Sequence, residues 1–265
     1  MATANSKSGF MAKGALILGV WLAMTSFAAA GEGSTDNFAA RAEAEFHRAR
    51  NQFQSNTNDV TAAWEFARAC FNFADFATND TEHAAIARQG IDASRQAIAC
   101  GSNSAAAHYY LGENLGQLAR SETLGALKIV KEMEREFKTA IRLDGHFDYA
   151  GPERSLGLLY RDAPGWPMSI GSRRKALEWL LRAKKLAPGY PENDLNLVEA
   201  YLEWHERAAA KRELQALDAV WPAARTNLAG PAWEPSWADW SARREAVRKC
   251  LSETSRPAEA PKSTH

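Results

Sequence analysis

The feature that most constrains this chain is a residue pattern that recurs along most of its length. A first segment places large, Leu, Gly and aromatic residues at helical spacing; a second places small and large residues in alternation; Pro, Gly or Ser follows. The clearest copy is almost uninterrupted: Asp194, Leu197, Val198 and Tyr201, then Ala210, Leu214, Leu217 and Pro222. Before it come Glu153, Leu156, Gly157 and Tyr160, then Ala176, Leu180, Ala183 and Pro188. Earlier still are His108, Leu111, Gly112 and Leu115, then Met133, Phe137, Ala140 and Gly145. A weaker copy has Trp64, Ala67, Arg68 and Phe71, then Gly90, Ser94, Ala97 and Ser102, and Ala42, Phe46 and Ala49 form a half-copy that opens the series. Copies in the same order, each ending in a helix breaker, describe helical hairpins. One hairpin cannot bury its own apolar face, so neighbours must stack.

The spacing is that of the tetratricopeptide repeat, which the chain resembles. The expected fold is all-α: tetratricopeptide-like hairpins stacked into a right-handed solenoid, with insertions between the helices of three hairpins. Small residues such as Gly112, Gly157, Ala140 and Ala183 let paired helices approach, and Phe71, Phe137, Tyr160 and Tyr201 fill the gap to the next hairpin. Pro188 and Pro222 are read as helix ends, because proline cannot continue the hydrogen-bond ladder. Abundant alanine and the lack of long β-branched runs agree with helices.

The insertions carry the functional information. Tyr201 and Ala210 are nine residues apart, whereas the equivalent gaps are sixteen (Tyr160 to Ala176), eighteen (Leu115 to Met133) and nineteen (Phe71 to Gly90). All the extra residues fall at the joint between the two helices of a hairpin, and in a stack these joints share one edge. The second insert carries Leu124, Leu127, Ile129 and Val130; the third carries Trp166, Met168 and Ile170 between prolines and glycines. Two readings stand side by side. These residues tuck down and cap their own helices, or they form an apolar edge for a ligand or partner. A second candidate surface is the concave groove lined by the first helices: Glu65, Asn72, Tyr109, Glu113, Arg154, Arg161, Glu199 and Glu203. It mixes both signs of charge and so favours no singly charged peptide.

The N-terminus reads as an export signal, residues 1–30. Lys7 and Lys13 precede an apolar stretch from Gly14 to Phe27, and Ala28, Ala29 and Ala30 supply a small-residue cleavage site before Gly31. The apolar run is short for a membrane span. A periplasmic or secreted location follows as the expectation, with a retained N-terminal anchor as the alternative. The repeat domain is expected over 31–222, a Trp-rich capping segment over 223–252, and a disordered tail over 253–265. Lysine plus arginine and aspartate plus glutamate number 32 each, so no net field draws in nucleic acid. Cys70, Cys100 and Cys250 are too few and too scattered for a metal site; Cys70 and Cys100 could bridge, but buried free thiols are the preferred reading. Phosphate-loop, zinc-hydrolase, serine-hydrolase and EF-hand patterns are absent. Glu199, Glu203 and Glu206 read as a solvated helix face. No cofactor, metal or catalytic residue is expected, and the function is expected to be binding.

Several stretches resemble the T component of tripartite ATP-independent periplasmic (TRAP) transporters. They are Ala140 to Asp144, Gly151 to Tyr160, the Pro/Gly loop Ala163 to Gly171, Lys175 to Ala183 and Pro191 to Leu195. The resemblance runs over about residues 40–222 and implies a periplasmic helical protein that self-assembles, presents an apolar cavity to a small ligand and partners a solute-binding protein. A lipoprotein cysteine, common in that family, is missing. A general periplasmic scaffold for protein–protein interaction, unrelated to transport, is the alternative. A more distant resemblance runs to a family of microtubule regulators with related repeats, against which the bacterial type of export segment argues.

Overall fold

The computed structural model describes residues 32–121 and 125–253. The predicted export segment, Leu124 and the tail beyond Glu253 lie outside the described residues. Those that are described form α1 (Glu32–Ser55), α2 (Val60–Ala74), α3 (Asp80–Cys100), α4 (Ala105–Ser121), α5 (Ala126–Leu143), α6 (Phe147–Asp162), α7 (Arg173–Leu186), α8 (Pro191–Glu203), α9 (Arg207–Asn227) and α10 (Glu234–Glu253). The pairs α2/α3, α4/α5, α6/α7 and α8/α9 are antiparallel hairpins stacked in chain order. Helix α1 opens the stack against α2, and α10 closes it against α8. The fold is an all-α helical-repeat solenoid.

Local chemistry sets the helix starts. The Asp59 carboxylate accepts from the amides of Thr61 (2.8 Å) and Ala62 (3.2 Å) ahead of α2. Asn79 accepts from the amide of Glu82 (2.9 Å), while Glu82 reaches back to the amide of Thr78 (2.8 Å). Pro191 occupies the first turn of α8, where a missing amide hydrogen costs nothing.

Within each hairpin the small residues behave as the repeat requires. Gly112 lies against the Phe137 ring and Gly157 against Leu180; a methyl at Gly157 would sit 2.8 Å from the Leu180 Cγ. Ala140, Ala176 and Ala183 are fully buried. The first position of the pattern, Trp64 in the first copy, is polar in the other three, and each replacement has a charged neighbour. His108 Nδ1 lies 2.6 Å from Glu136, Glu153 lies 3.6 Å from Arg182, and Asp194 lies 2.8 Å from Lys184. These groups take up space that an indole would fill; Lys184 holds Asp194 by charge, whereas burial pushes the Glu153 carboxyl up to about 7.

The insertions take two forms, and two expectations at Pro222 are corrected. The first two insertions are mainly longer helices: α3 begins at Asp80 and α5 at Ala126. Val130, Met133 and Phe137 follow one another at helical spacing on the buried side of α5, so extending that helix buries more apolar surface than a loop would. Only the third insertion, residues 163–172, is a true loop. Pro222 does not end its helix: α9 continues to Asn227, held by Ala224 and Leu228 packing on Trp237 and Trp240. The boundary expected at 222 therefore falls inside a helix.

The two ends of the described stack also meet. Arg41 on α1 donates to the Glu234 carboxylate (3.0 Å) and to the Pro231 carbonyl (2.6 Å) in the segment leading into α10.

Candidate functional site

The first helices α2, α4, α6 and α8, followed by α10, carry the residues expected to line the groove. The most unusual backbone in the molecule lies at the entry to α6. Asp148, Tyr149 and Ala150 have φ of 50°, 54° and 62°, a turn of left-handed helix built from non-glycine residues. Such residues cost about 1–2 kcal/mol each and persist where surrounding contacts hold them. Here the contacts come from two arms. Arg154 Nη1 donates to the Tyr149 carbonyl (3.3 Å), and Asn193 Nδ2 donates to the same oxygen (3.1 Å). Arg154 Nη2 also pairs with the Asp148 carboxylate at 3.2 Å, and the Tyr109 hydroxyl donates to that carboxylate at 3.3 Å.

The turn places Tyr149 in a stack of aromatic rings. Its ring lies parallel to that of Tyr190 at 4.5 Å and edge-on to Trp233 at 5.7 Å, and Tyr190 meets Trp240 at 5.3 Å. Arg154 sits 5.2 Å from the Tyr190 ring. Toward the other end, Phe147 contacts Tyr109 (5.7 Å), Tyr110 (6.2 Å) and Trp64 (6.2 Å). Aromatic rings thus run from α2 to α10 along the starts of the first helices. Sequence reasoning did not single out Tyr149, Tyr190 or Phe147. The Trp-rich segment, whose role was open, supplies Trp233 and Trp240 to this run and seats α10.

Much of the expected groove is locked rather than free. Tyr109, Glu113 and Arg154 are buried. Glu113 accepts from the Ser155 hydroxyl, and burial pushes its carboxyl up to about 7 against the pull of that hydrogen bond. The side chain of Arg161 is buried against Asp162, with Nε 2.5 Å from Oδ1 and Nη2 3.0 Å from Oδ2; burial raises Asp162 to about 6 despite the guanidinium. Glu199, expected on a solvated face, instead receives Arg243 from α10 through two bonds of 2.8 Å. Arg243 further bonds Asn196 (2.6 Å) and Asp239 (3.2 Å). Asn72 and Glu203 remain exposed and Glu65 is half-buried.

The expected apolar edge divides in two. Val130 is buried, and Ile129 and Ile170 pack against the main core. These three cap their own repeats. Trp166, Met168 and Leu127 instead stand in solvent, with 88%, 59% and 47% of their surface exposed. Neither of two surface depressions, one around Phe53, Phe66 and Ala93 and one around Leu228 and Trp237, includes a residue of the expected edge or groove. Among the described residues no group of His, Cys, Asp and Glu is arranged to hold a metal ion. Cys70 is buried, Cys100 and Cys250 are exposed, and all three are free thiols. The expectation that Cys100 is buried fails because the end of α3 leaves it on the surface beside Asn58.

Comparison with known proteins fits this geometry. The family model of regulator of microtubule dynamics proteins 1–3 matches residues 33–148, less than half of the chain. It was the more distant of the two resemblances drawn from the sequence. The TRAP T component finds no support among the matches. No curated protein matches the chain by sequence. Among solved structures, TTC0263, a thermophilic TPR protein of Thermus thermophilus, is similar with a TM-score of 0.59 at 17% identity, over 82% of this chain and 95% of that one. A structure of MamA gives 0.47 at 15% identity, over 71% and 94%. The arrangement of hairpins and the similarity to TTC0263 agree: the chain is a tetratricopeptide-like helical-repeat protein.

Proposed function

We propose that this protein is a non-catalytic scaffold that receives another protein on the face formed by its first helices. The observation that carries the proposal is the immobilisation of that face. Glu113, Arg154, Arg161 and Arg243 are each held by fixed internal partners. These side chains are buried beneath the face and fix its helices as a frame, and a preformed frame loses little conformational entropy when a partner docks. The outlying groups Glu65, Asn72 and Glu203 then supply the contacts that a partner reads. These outlying groups are acidic or neutral, which suits a partner segment that carries basic residues.

Affinity capture from the native host tests this reading. The double variant Glu65→Lys and Asn72→Lys alters a half-buried and an exposed group and spares Glu203, which lies 3.4 Å from the buried Arg161, so its melting temperature should match the wild type. Loss of a protein that the wild type retains is the expected result. An unchanged set of captured proteins, with the fold intact, would overturn the concave face as the binding surface.

Two finer readings belong with this proposal. Work beside a solute-binding protein in TRAP-type uptake of a small, partly apolar ligand is supported by the motif resemblance at Ala140 to Leu195, while the wider scaffold reading needs only the fold. Export to the periplasm or beyond is supported by Lys7, Lys13, the apolar stretch to Phe27 and the alanines before Gly31. Mass spectrometry of the protein from its native host should find Gly31 or a near neighbour at the N-terminus; an intact Met1 on a membrane-bound form would contradict export with cleavage.

A further inference from the structure

The 163–172 loop is a firmly built projection. The Gly171 amide donates to the Pro164 carbonyl (2.9 Å), the amides of Met168 and Ser169 donate to the Gly165 carbonyl (3.1 and 3.2 Å), and the Ser172 amide donates to the Tyr160 carbonyl (2.8 Å). Ile170 roots the loop in the main core. A loop fixed in this way could have turned its large side chains inward, yet Trp166 and Met168 face water. An exposed tryptophan held on an ordered backbone is a surface prepared for contact.

The neighbouring hairpin adds to the same surface. Tyr160, at the end of α6, bonds Glu134 on α5, and its ring faces Lys138 of α5 at 5.9 Å and Lys175 of α7 at 4.8 Å. These contacts tie the end of α6 to the middle of α5, and the joint before α5 and the joint that holds the loop lie at the same end of their hairpins. Ile129 packs on the same core as Ile170, and next to it Leu127 is exposed. Lys128 and Lys131 are exposed there and form no ion pair among the described residues. Arg174, at the start of α7, is 81% exposed and approaches only Glu178, at 3.8 Å. The joints on either side are acidic: Asp75, Asp80 and Glu82 before, Glu203 and Glu206 after. Apolar side chains therefore lie at the two middle joints together with Lys128 and Lys131 and with Arg174, which is only loosely paired.

We propose that this edge docks on an anionic phospholipid surface. Trp166, Met168 and Leu127 enter the headgroup layer, and Lys128, Lys131 and Arg174 face the lipid phosphates. Tryptophan is at home in that layer, because its ring is apolar and its N–H keeps a polar partner. Cations beside such a side chain add attraction to an anionic leaflet. The three apolar groups come from two elements, Leu127 from α5 and Trp166 and Met168 from the loop, and neither surface depression includes them, which suits a fluid layer that needs no matching shape. The assignment does not depend on the concave face, so the scaffold reading stands or falls apart from it.

The test uses the full chain with vesicles whose acyl chains are brominated and quench tryptophan fluorescence on contact. In mixed phosphatidylcholine–phosphatidylglycerol vesicles, the wild type should be quenched more than Trp166→Phe, by the share of a single tryptophan. A contribution from the N-terminal apolar segment is common to both proteins and cancels in this difference. The difference should vanish in pure phosphatidylcholine, and should vanish in mixed vesicles for Lys128→Glu with Lys131→Glu, with helix content unchanged. Equal quenching of wild type and Trp166→Phe in mixed vesicles would overturn the proposal. So would a difference that persists in pure phosphatidylcholine or in the lysine variant. A wild-type dimer in sedimentation that Trp166→Phe dissolves, without any quenching difference, would assign the edge to a second copy of the chain and likewise overturn it.

Discussion

Arg243 on α10 grips Glu199 on α8 through two hydrogen bonds of 2.8 Å, and the guanidinium is almost wholly buried. This pair seats the Trp-rich helix on the last hairpin, with Asn196 and Asp239 taking the remaining donors. Arg243→Ala strands two carboxylates beside an emptied site. The expected loss is about 3 kcal/mol, read as a lower urea midpoint at unchanged slope. Glu234→Ala, which removes an exposed partner of Arg41, should cost less than about 1 kcal/mol by the same measurement.

Gly157 marks the closest approach of α6 and α7. A methyl there meets Leu180 at 2.8 Å from its Cγ and 3.1 Å from its backbone nitrogen, so the neighbour cannot simply rotate away. Gly157→Leu should destabilise by about 1–3 kcal/mol. Ala219→Leu, on the exposed side of α9, is the control and should leave the circular-dichroism melt unchanged. Equal melts for the two variants would remove the assigned repeat register.

Glu113 gives the fold a pH dependence with a definite sign. Its carboxyl is raised from the ordinary 4.5 to about 7 by burial. Between those values the unfolded chain has lost the proton and the folded chain keeps it. This residue therefore makes stability fall as pH rises from about 4.5 to about 7. Glu113→Gln stays neutral and can still bond Ser155. It should gain roughly 3 kcal/mol over the wild type at pH 8 and nothing at pH 4, measured by urea unfolding at both. A wild-type advantage at pH 8 would show that the ionised group is wanted in place.

The thiols should separate by position. Cys100 and Cys250 are exposed, whereas Cys70 is buried and its thiol is pushed far up by burial. Native protein titrated with a chromogenic disulfide should react at two thiols quickly and at the third only after denaturation. One fast thiol, or none, would reveal a bridge.

The repeat was readable because packing at close quarters leaves few choices of residue. Gly112 and Gly157 have no room for a side chain, and Leu111, Leu156 and Leu197 recur because each fills the same gap. The start of α5 was not legible, because eighteen residues between Leu115 and Met133 suit a loop or two more helical turns equally well; the stripe from Val130 to Phe137 decides it. Burial of Tyr109, Glu113 and Arg154 was not visible, since each is polar and found its partner on another hairpin. The left-handed turn at Asp148 to Ala150 has no glycine to announce it. Its cause lies in Arg154 and Asn193, the second of them on α8, and with it the stacking of Tyr149 on Tyr190 stayed hidden.

The contact of Arg41 with Pro231 and Glu234 changes what kind of object this repeat protein is. A linear array frays from either end, because its terminal units have one neighbour instead of two. Here the first helix touches the segment that leads into the last, across 193 positions of sequence. The clasp itself is exposed and weak, and closing so long a span costs entropy that only a finished stack can offset. It is therefore fastened last and opened first, and while it holds, the array behaves as a bracelet. Once it opens, α1 still rests on α2 and α10 on α8, so the two ends of the stack, joined in the finished fold, melt as separate events.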